Sequence, residues 1–181
     1  HGFTDSNRPL LLAPIQGHNH QHWRAYCAQA LQKIDFDLYG LGGWPFQKDG
    51  KFDYSFCKLN ADLTDKDSLR FALGVGTPEN IVKLYLQGYQ FFDCVLPTRD
   101  ARHQRLYTFK INPKKLTKKE LLKLAQTDRL NEVFAYCYIG KGQFATDQQA
   151  ISQFCDCPNC QTQAGTPQVS RAYLHHLFKI A

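Results

Sequence analysis

Residues 69–96 read LRFALGVGTPENIVKLYLQGYQFFDCVL, and this stretch decides the fold. Its two ends, LRFALGV (69–75) and QFFDCVL (90–96), are near-continuous apolar runs of the length of a buried strand. Between them Thr77 is placed to cap a helix and Pro78 suits its first turn. Ile81, Leu84 and Tyr85 fall on one face, and Gly88 is the expected stop. Strand, helix and strand in this order imply a right-handed crossover and a parallel pair.

Two more runs of the same kind come earlier, LLLAPIQ (10–16) and FDLYGLGG (36–43). Between these, Trp23, Cys27, Ala30, Leu31 and Ile34 recur at helical spacing and predict an amphipathic helix with those residues on its apolar face. From Trp44 the chain reads WPFQKDGKFD, a loop, and DLTDKDSLR (62–70) suggests a helix start. The expected class is therefore α/β with a parallel sheet, and four such units are half of an eight-stranded β/α barrel. A closed barrel takes about 250 residues, more than the 181 present.

Composition fits a packed domain, or part of one: 43% of residues are hydrophobic and 21% charged. The apolar runs are too short to span a bilayer, and HGFTDSNRPLLLAP lacks the basic start and small-residue cleavage site of a signal peptide, so the cytoplasm is the expected location. Seven cysteines, three of them within six residues, suit a reducing compartment and a metal site. The net charge of +6 favours an anionic partner without requiring one. Met is absent and the chain begins at His1, as an internal piece of a longer protein would. After Arg102 the character changes: KINPKKLTKKELLKLAQ (110–126) carries six lysines, and Thr117 with Glu120 forms a capping-box pattern.

Chemistry is concentrated in two strings. FFDCVLPTRDAR (91–102) ends an apolar run in Asp93 and follows it with Arg99 and Arg102, as a nucleophile acting on a polyanion requires. Catalytic groups collect at the carboxyl ends of barrel strands, where Asp93 is expected, and Gln16 and Gly43 close two other strands. A glutamine amide offers a donor and an acceptor, and a glycine lets a flat heterocycle approach its backbone N–H. GVGTPEN (74–80) leads into a helix N-terminus, which attracts phosphate. The second string, CDCPNC (155–160), sets Cys155, Cys157 and Cys160 within reach of one tetrahedral metal. Cys94 is expected to pack, and His18, His20 and His22 to lie in a solvated loop.

These strings, with PIQG (14–17), GLGG (40–43), ALGVGTPENIV (72–82) and SRAYLHHL (170–177), resemble the tRNA-guanine transglycosylase family, the queuine tRNA-ribosyltransferases of bacterial and eukaryotic type. The likeness runs through nearly the whole chain. It implies a β/α (TIM) barrel with a zinc-binding subdomain, of which residues 1–105 supply the C-terminal half, about strands five to eight. Residues 106–181 then hold the zinc subdomain and an insertion over roughly 106–152, with a second at 161–169.

By the same resemblance Asp93 is the nucleophile and Gln16 and Gly43 bind the base. Gly74, Val75, Gly76, Thr77, Pro78, Glu79 and Asn80 contact tRNA, as do Thr98, Arg99, Asp100, Ala101 and Arg102. Cys155, Cys157 and Cys160 bind Zn2+. The family exchanges the wobble guanine of a tRNA for a 7-deazaguanine, preQ1 or queuine, in queuosine biosynthesis, through a covalent ribosyl-aspartate, and its members form homodimers. The family's ligand histidine lies beyond SRAYLHHL, which leaves His175 and His176 as the imidazoles available here. Two departures stand out. WPFQK replaces the small residues and glutamate that follow GG in the family, and the family's acid/base and second base-reading aspartates lie in the first half of the barrel. The isolated chain is therefore expected to be inert, unless Asp37 or Asp53 has taken over the missing role. A non-catalytic, zinc-containing tRNA-binding module, a DNA-modifying relative and a split enzyme are the alternatives.

Overall fold

The computed structural model describes residues 8–163 and 166–180. It divides into two compact units, His1–Cys94 and Val95–Ala181, ahead of the boundary expected at 105/106. The reason lies in the PTR segment: Leu96–Arg102 is a helix whose buried Asp100 bonds to Arg105 and Tyr107, so it folds with the residues on its C-terminal side.

The first unit alternates β1 (Leu12–Ile15), α1 (Gln21–Gln32), β2 (Leu38–Leu41), α2 (Tyr54–Asp62), β3 (Leu69–Ala72), α3 (Pro78–Leu86) and β4 (Phe91–Phe92). The strands form one sheet in the order β1-β2-β3-β4, and every pair is parallel. Each lies inside an apolar run singled out in the sequence. Every residue of β2 is buried, as a central strand covered on both faces must be. One core gathers Leu41, Cys57, Ala61, Ala72, Val75, Leu84 and Tyr89, and another Ile15, Ala28 and Tyr39.

Three local expectations are corrected. In α1 the buried line is Arg24 and Ala28, with Cys27 and Leu31 packed beside them, while Trp23 and Ile34 are 55% and 66% exposed and Ala30 is exposed. The helix stops at Gln32, which puts Ile34 beyond it, and the buried stripe is anchored by an arginine. DLTDKDSLR does not start a helix. That helix is α2, opened by Asp53, whose carboxylate accepts from the Phe56 N–H at 2.9 Å, and it is already ending at Asp62. In α3 Thr77 caps as expected and Leu84 is buried, but Tyr85 is 61% exposed.

The second unit opens with α4 (Leu96–Arg102), so the run expected as strand to 96 pairs only at Phe91 and Phe92. Next come β5 (Arg105–Phe109), α5 (Lys118–Gln126) and β6 (Phe134–Tyr138), with β5 and β6 antiparallel. A short pair, β7 (Thr162–Gln163) and β8 (Thr166–Pro167), precedes α6 (Arg171–Ile180). Thr117 and Glu120 form the expected capping box of α5. The core is Cys137, Ile139 and Phe144, with Leu106, Leu174 and Phe178 against it. Of the stretch 161–169, residues 164 and 165 lie outside the described residues, as do residues 1–7 of HGFTDSNRPLLLAP. Among the described residues no helix is long and apolar enough to cross a membrane.

Candidate active site at the carboxyl edge of the sheet

Because all four strands run in one direction, the residues just beyond their C-terminal ends share one edge. Gln16 follows β1, Gly42 and Gly43 follow β2, Gly74 follows β3 and Asp93 follows β4. Asp93 and Gln16 are both exposed there, but on the outermost strands, about 14 Å apart along the sheet at the usual strand spacing.

Asp93 is held by its neighbour. The Gly74 N–H donates to Asp93 Oδ1 at 2.8 Å, which leaves Oδ2 as the oxygen free of that bond. Gly74 sits at φ +75°, a backbone conformation glycine adopts at little cost. Of the GVGTPEN loop, Val75 packs its side chain into the core. Thr77 Oγ1 accepts from the Asn80 N–H at 3.2 Å, the Asn80 side chain accepts from Tyr54 OH at 2.7 Å, and Glu79 pairs with Lys83 at 2.9 Å.

Gln16 and the glycine pair are brought together by a residue that sequence reasoning missed. Arg24 is fully buried in α1 and donates to the carbonyls of Ile15 (3.0 Å), His18 (2.6 Å) and Gly42 (2.6 Å) and to Asn60 Oδ1 (2.9 Å). Its guanidinium also lies 4.2 Å over the Phe56 ring. Burial lowers its pKa from the usual value, with partial opposition from Tyr89, Cys27 and Cys57. The loops after β1 and β2 are thus pinned to one cation. The approach is close: a Cβ on Gly42 would meet the Ile15 carbonyl oxygen at 2.4 Å and the Gln16 amide at 2.9 Å. Gly43 sits at φ +114°. The signal that was available is an arginine at i in a stripe whose i+3, i+4 and i+7 positions are Cys27, Ala28 and Leu31.

Asp37 does not join this edge, whereas Asp53 opens α2 in the connection that follows β2. Asp37 precedes β2, at the opposite end of the sheet, where it accepts from Arg8 at 2.6 and 2.7 Å and from the Leu11 N–H at 2.7 Å. The Arg8 hydrogen bonds, with that of Leu11, hold its carboxyl at about 2, far too low for a proton donor near neutrality. Asp53 Oδ1 caps α2 by accepting from the Phe56 N–H at 2.9 Å. His18 lies in the loop as expected, whereas His20 is the N-cap of α1 and His22 belongs to the helix, its ring 4.6 Å from that of Trp23.

The PTR segment belongs to the second unit. Thr98, Arg99 and Arg102 are exposed on α4, and Ala101 is partly buried. Asp100, expected to face a ligand, is 1% exposed: Oδ1 accepts from Arg105 at 2.5 Å and Oδ2 from Tyr107 OH at 2.5 Å. Burial would raise its pKa, and the bonds from Arg105 and Tyr107 outweigh this and lower it.

The sulfurs of Cys155, Cys157 and Cys160 lie within 4.8 Å of one another. Tetrahedral zinc, with Zn–S near 2.3 Å, asks for sulfurs about 3.8 Å apart, so the donor set fits a metal. The Cys160 backbone N–H lowers the Cys157 thiol's pKa against the opposing effect of burial, whereas burial raises that of Cys160. Among the described residues no His, Asp or Glu joins the three. His175 Nδ1 lies 2.9 Å from the Ile139 carbonyl oxygen, and His176 is exposed.

Residues 2–181 match the family model described as queuine tRNA-ribosyltransferase. A queuine tRNA-ribosyltransferase of Helicobacter hepaticus is 34% identical over 93% of this chain, and those of Caldanaerobacter subterraneus and Thermoanaerobacter pseudethanolicus are 30% and 29% identical over 97%. The chain spans 37% to 39% of the length of these curated relatives. Four parallel strands alternating with helices define the class as α/β. The chain belongs to the queuine tRNA-ribosyltransferase family.

Proposed function

We infer that the chain carries the nucleophile and part of the base-reading surface of a tRNA-guanine transglycosylase. The observation that supports this most is Asp93: an exposed carboxylate just past a parallel strand, with one oxygen held by the Gly74 N–H. In the reaction the other oxygen attacks C1′ of the wobble guanosine. The C1′–N9 bond breaks, guanine leaves with its bonding pair and takes up a proton, and an Asp93–ribose ester remains. A 7-deazaguanine, preQ1 or queuine, then loses its N9 proton and attacks C1′, releasing Asp93 as the carboxylate. Gln16 and the backbone of Gly43 read the edge of the base, and Arg99 and Arg102 meet the anionic tRNA.

In this reading the four-stranded sheet is strands five to eight of a β/α barrel, and the second unit contains the zinc subdomain. Cys155, Cys157 and Cys160 supply three ligands to zinc, which acts as a structural clamp and takes no part in the exchange. The complete enzyme works as a homodimer in the cytoplasm.

The test is Asp93→Asn in a polypeptide of the relatives' full length. Asparagine keeps the oxygen that accepts from Gly74 but is no nucleophile, so guanine exchange should be lost while tRNA affinity changes less than about threefold. Exchange at the unaltered rate would end the mechanism.

A further inference from the structure

The β5–β6 ribbon has one face that the proposed chemistry does not use. Its register sets Arg105 opposite Tyr138, Tyr107 opposite Tyr136 and Phe109 opposite Phe134. Alternate residues share a face, so these six lie together, while Leu106 and Cys137 turn to the core of the unit. One face thus carries five aromatic rings and a guanidinium. Tyr138, Tyr136 and Phe109 are 45%, 42% and 37% exposed. Cations already lie on the rings: the Arg105 guanidinium is 4.8 Å over Tyr136, and Lys141 Nζ is 5.5 Å over Tyr138.

The connection between the two strands is as unusual in charge as the face is in aromatics. Residues 110–126 hold six lysines against one glutamate, a net +5 in a chain whose total is +6. Glu120 is engaged in the capping box. Lys118 and Lys119 are exposed in the first turn of α5, where the helix dipole disfavours cations, so helix stability does not account for them.

We propose that the β5–β6 ribbon and its lysine-rich connection, both in the second unit, form a binding surface for single-stranded RNA. Unpaired bases stack on the exposed tyrosines, and the lysines neutralise phosphates. Exposed rings interleaved with cations suit an unpaired strand because every base has a face to stack and every nucleotide a charge. A duplex keeps its bases stacked on each other, and a neutral protein surface leaves the lysines unmatched. The proposal rests on the reading of RNA as the partner but not on the chemistry of Asp93.

The test measures binding of the 181-residue chain to a fluorescein-labelled oligouridylate by anisotropy over a range of potassium chloride. Lys118→Gln/Lys119→Gln/Lys123→Gln, all on exposed positions of α5, should weaken binding and reduce the slope of log affinity against log salt by about 2, since each phosphate contact on a single strand contributes about 0.7. Tyr136→Ala/Tyr138→Ala should weaken binding about tenfold or more. If the tyrosine variant loses its circular dichroism, the lysine variant decides alone. A folded lysine variant with unchanged affinity and slope overturns the proposal, as does tighter binding to an RNA duplex than to the single strand. It also fails if sedimentation shows a dimer that the tyrosine variant breaks without loss of RNA affinity. Asp93→Asn should bind oligouridylate as the unaltered chain does, so failure of the exchange mechanism leaves this result standing.

Discussion

Arg24 Nη2 donates to the Gly42 carbonyl at 2.6 Å, so the one buried arginine of α1 fixes the backbone one residue before the glycine proposed to read the base. Three carbonyls and the Asn60 amide depend on this side chain. Arg24→Met keeps the aliphatic bulk but leaves those acceptors without their donor, and a buried unpaired acceptor costs about 1–3 kcal/mol. Urea denaturation followed by circular dichroism should show a loss of about 3 kcal/mol or more, with Arg24→Lys recovering part of it. A loss under about 1 kcal/mol would mean that the clamp is replaceable.

Gly42→Ala places a methyl group 2.4 Å from the Ile15 carbonyl oxygen and 2.9 Å from the Gln16 amide, too close for either to stay. The Gln16 side chain should yield first, since it is the flexible neighbour. Base affinity in the full-length polypeptide should fall about tenfold or more, while tRNA affinity is kept. Equal base affinity in the alanine variant would remove Gln16 from base recognition.

Zinc content tests the cysteine cluster directly. One equivalent per chain is expected by metal analysis, and Cys157→Ser should reduce it to near zero, since two thiolates do not replace three. A stoichiometric metal that survives this substitution would have to be bound elsewhere.

Acid should act through Asp37. Its carboxyl is held at about 2 by hydrogen bonds from Arg8 and Leu11, below the value of about 3.9 in an unfolded chain. The folded state therefore binds the proton less readily than the unfolded state. The resulting stabilisation is fully present above about pH 4 and is lost as pH falls through 2. Asp37→Asn should flatten that part of the acid limb in a series of urea midpoints against pH. An unchanged acid limb would show that Arg8 does not hold the carboxylate in solution.

The four strands were legible because β/α units bury their strands on both faces, and LLLAPIQ, FDLYGLGG, LRFALGV and QFFDCVL are apolar for that reason. Their lengths were not: QFFDCVL pairs only at Phe91 and Phe92, because Pro97 opens a helix that the apolar pattern of Val95 and Leu96 does not announce. Periodicity misled in α1, where the deepest residue is an arginine that three carbonyls answer, one at the end of β1 and two in the loops after β1 and β2. Gln16, Gly43 and Asp93 were legible as strand ends, a statement about topology. Asp100 was not legible as a buried group, since its burial depends on Arg105 and Tyr107 answering both its oxygens.

The chain has two tryptophans, and both stand in the first unit near the proposed site: Trp44, 77% exposed, directly follows Gly43, and Trp23, 55% exposed, precedes Arg24. Indole emission from this protein therefore reports on water around those loops and not on a hydrophobic interior. Unfolding should leave its wavelength nearly still, because the indoles are already wet, whereas a heterocycle settling against Gly43 should quench Trp44. The molecule thus carries its own optical probe of the proposed base site, one that is largely blind to denaturation.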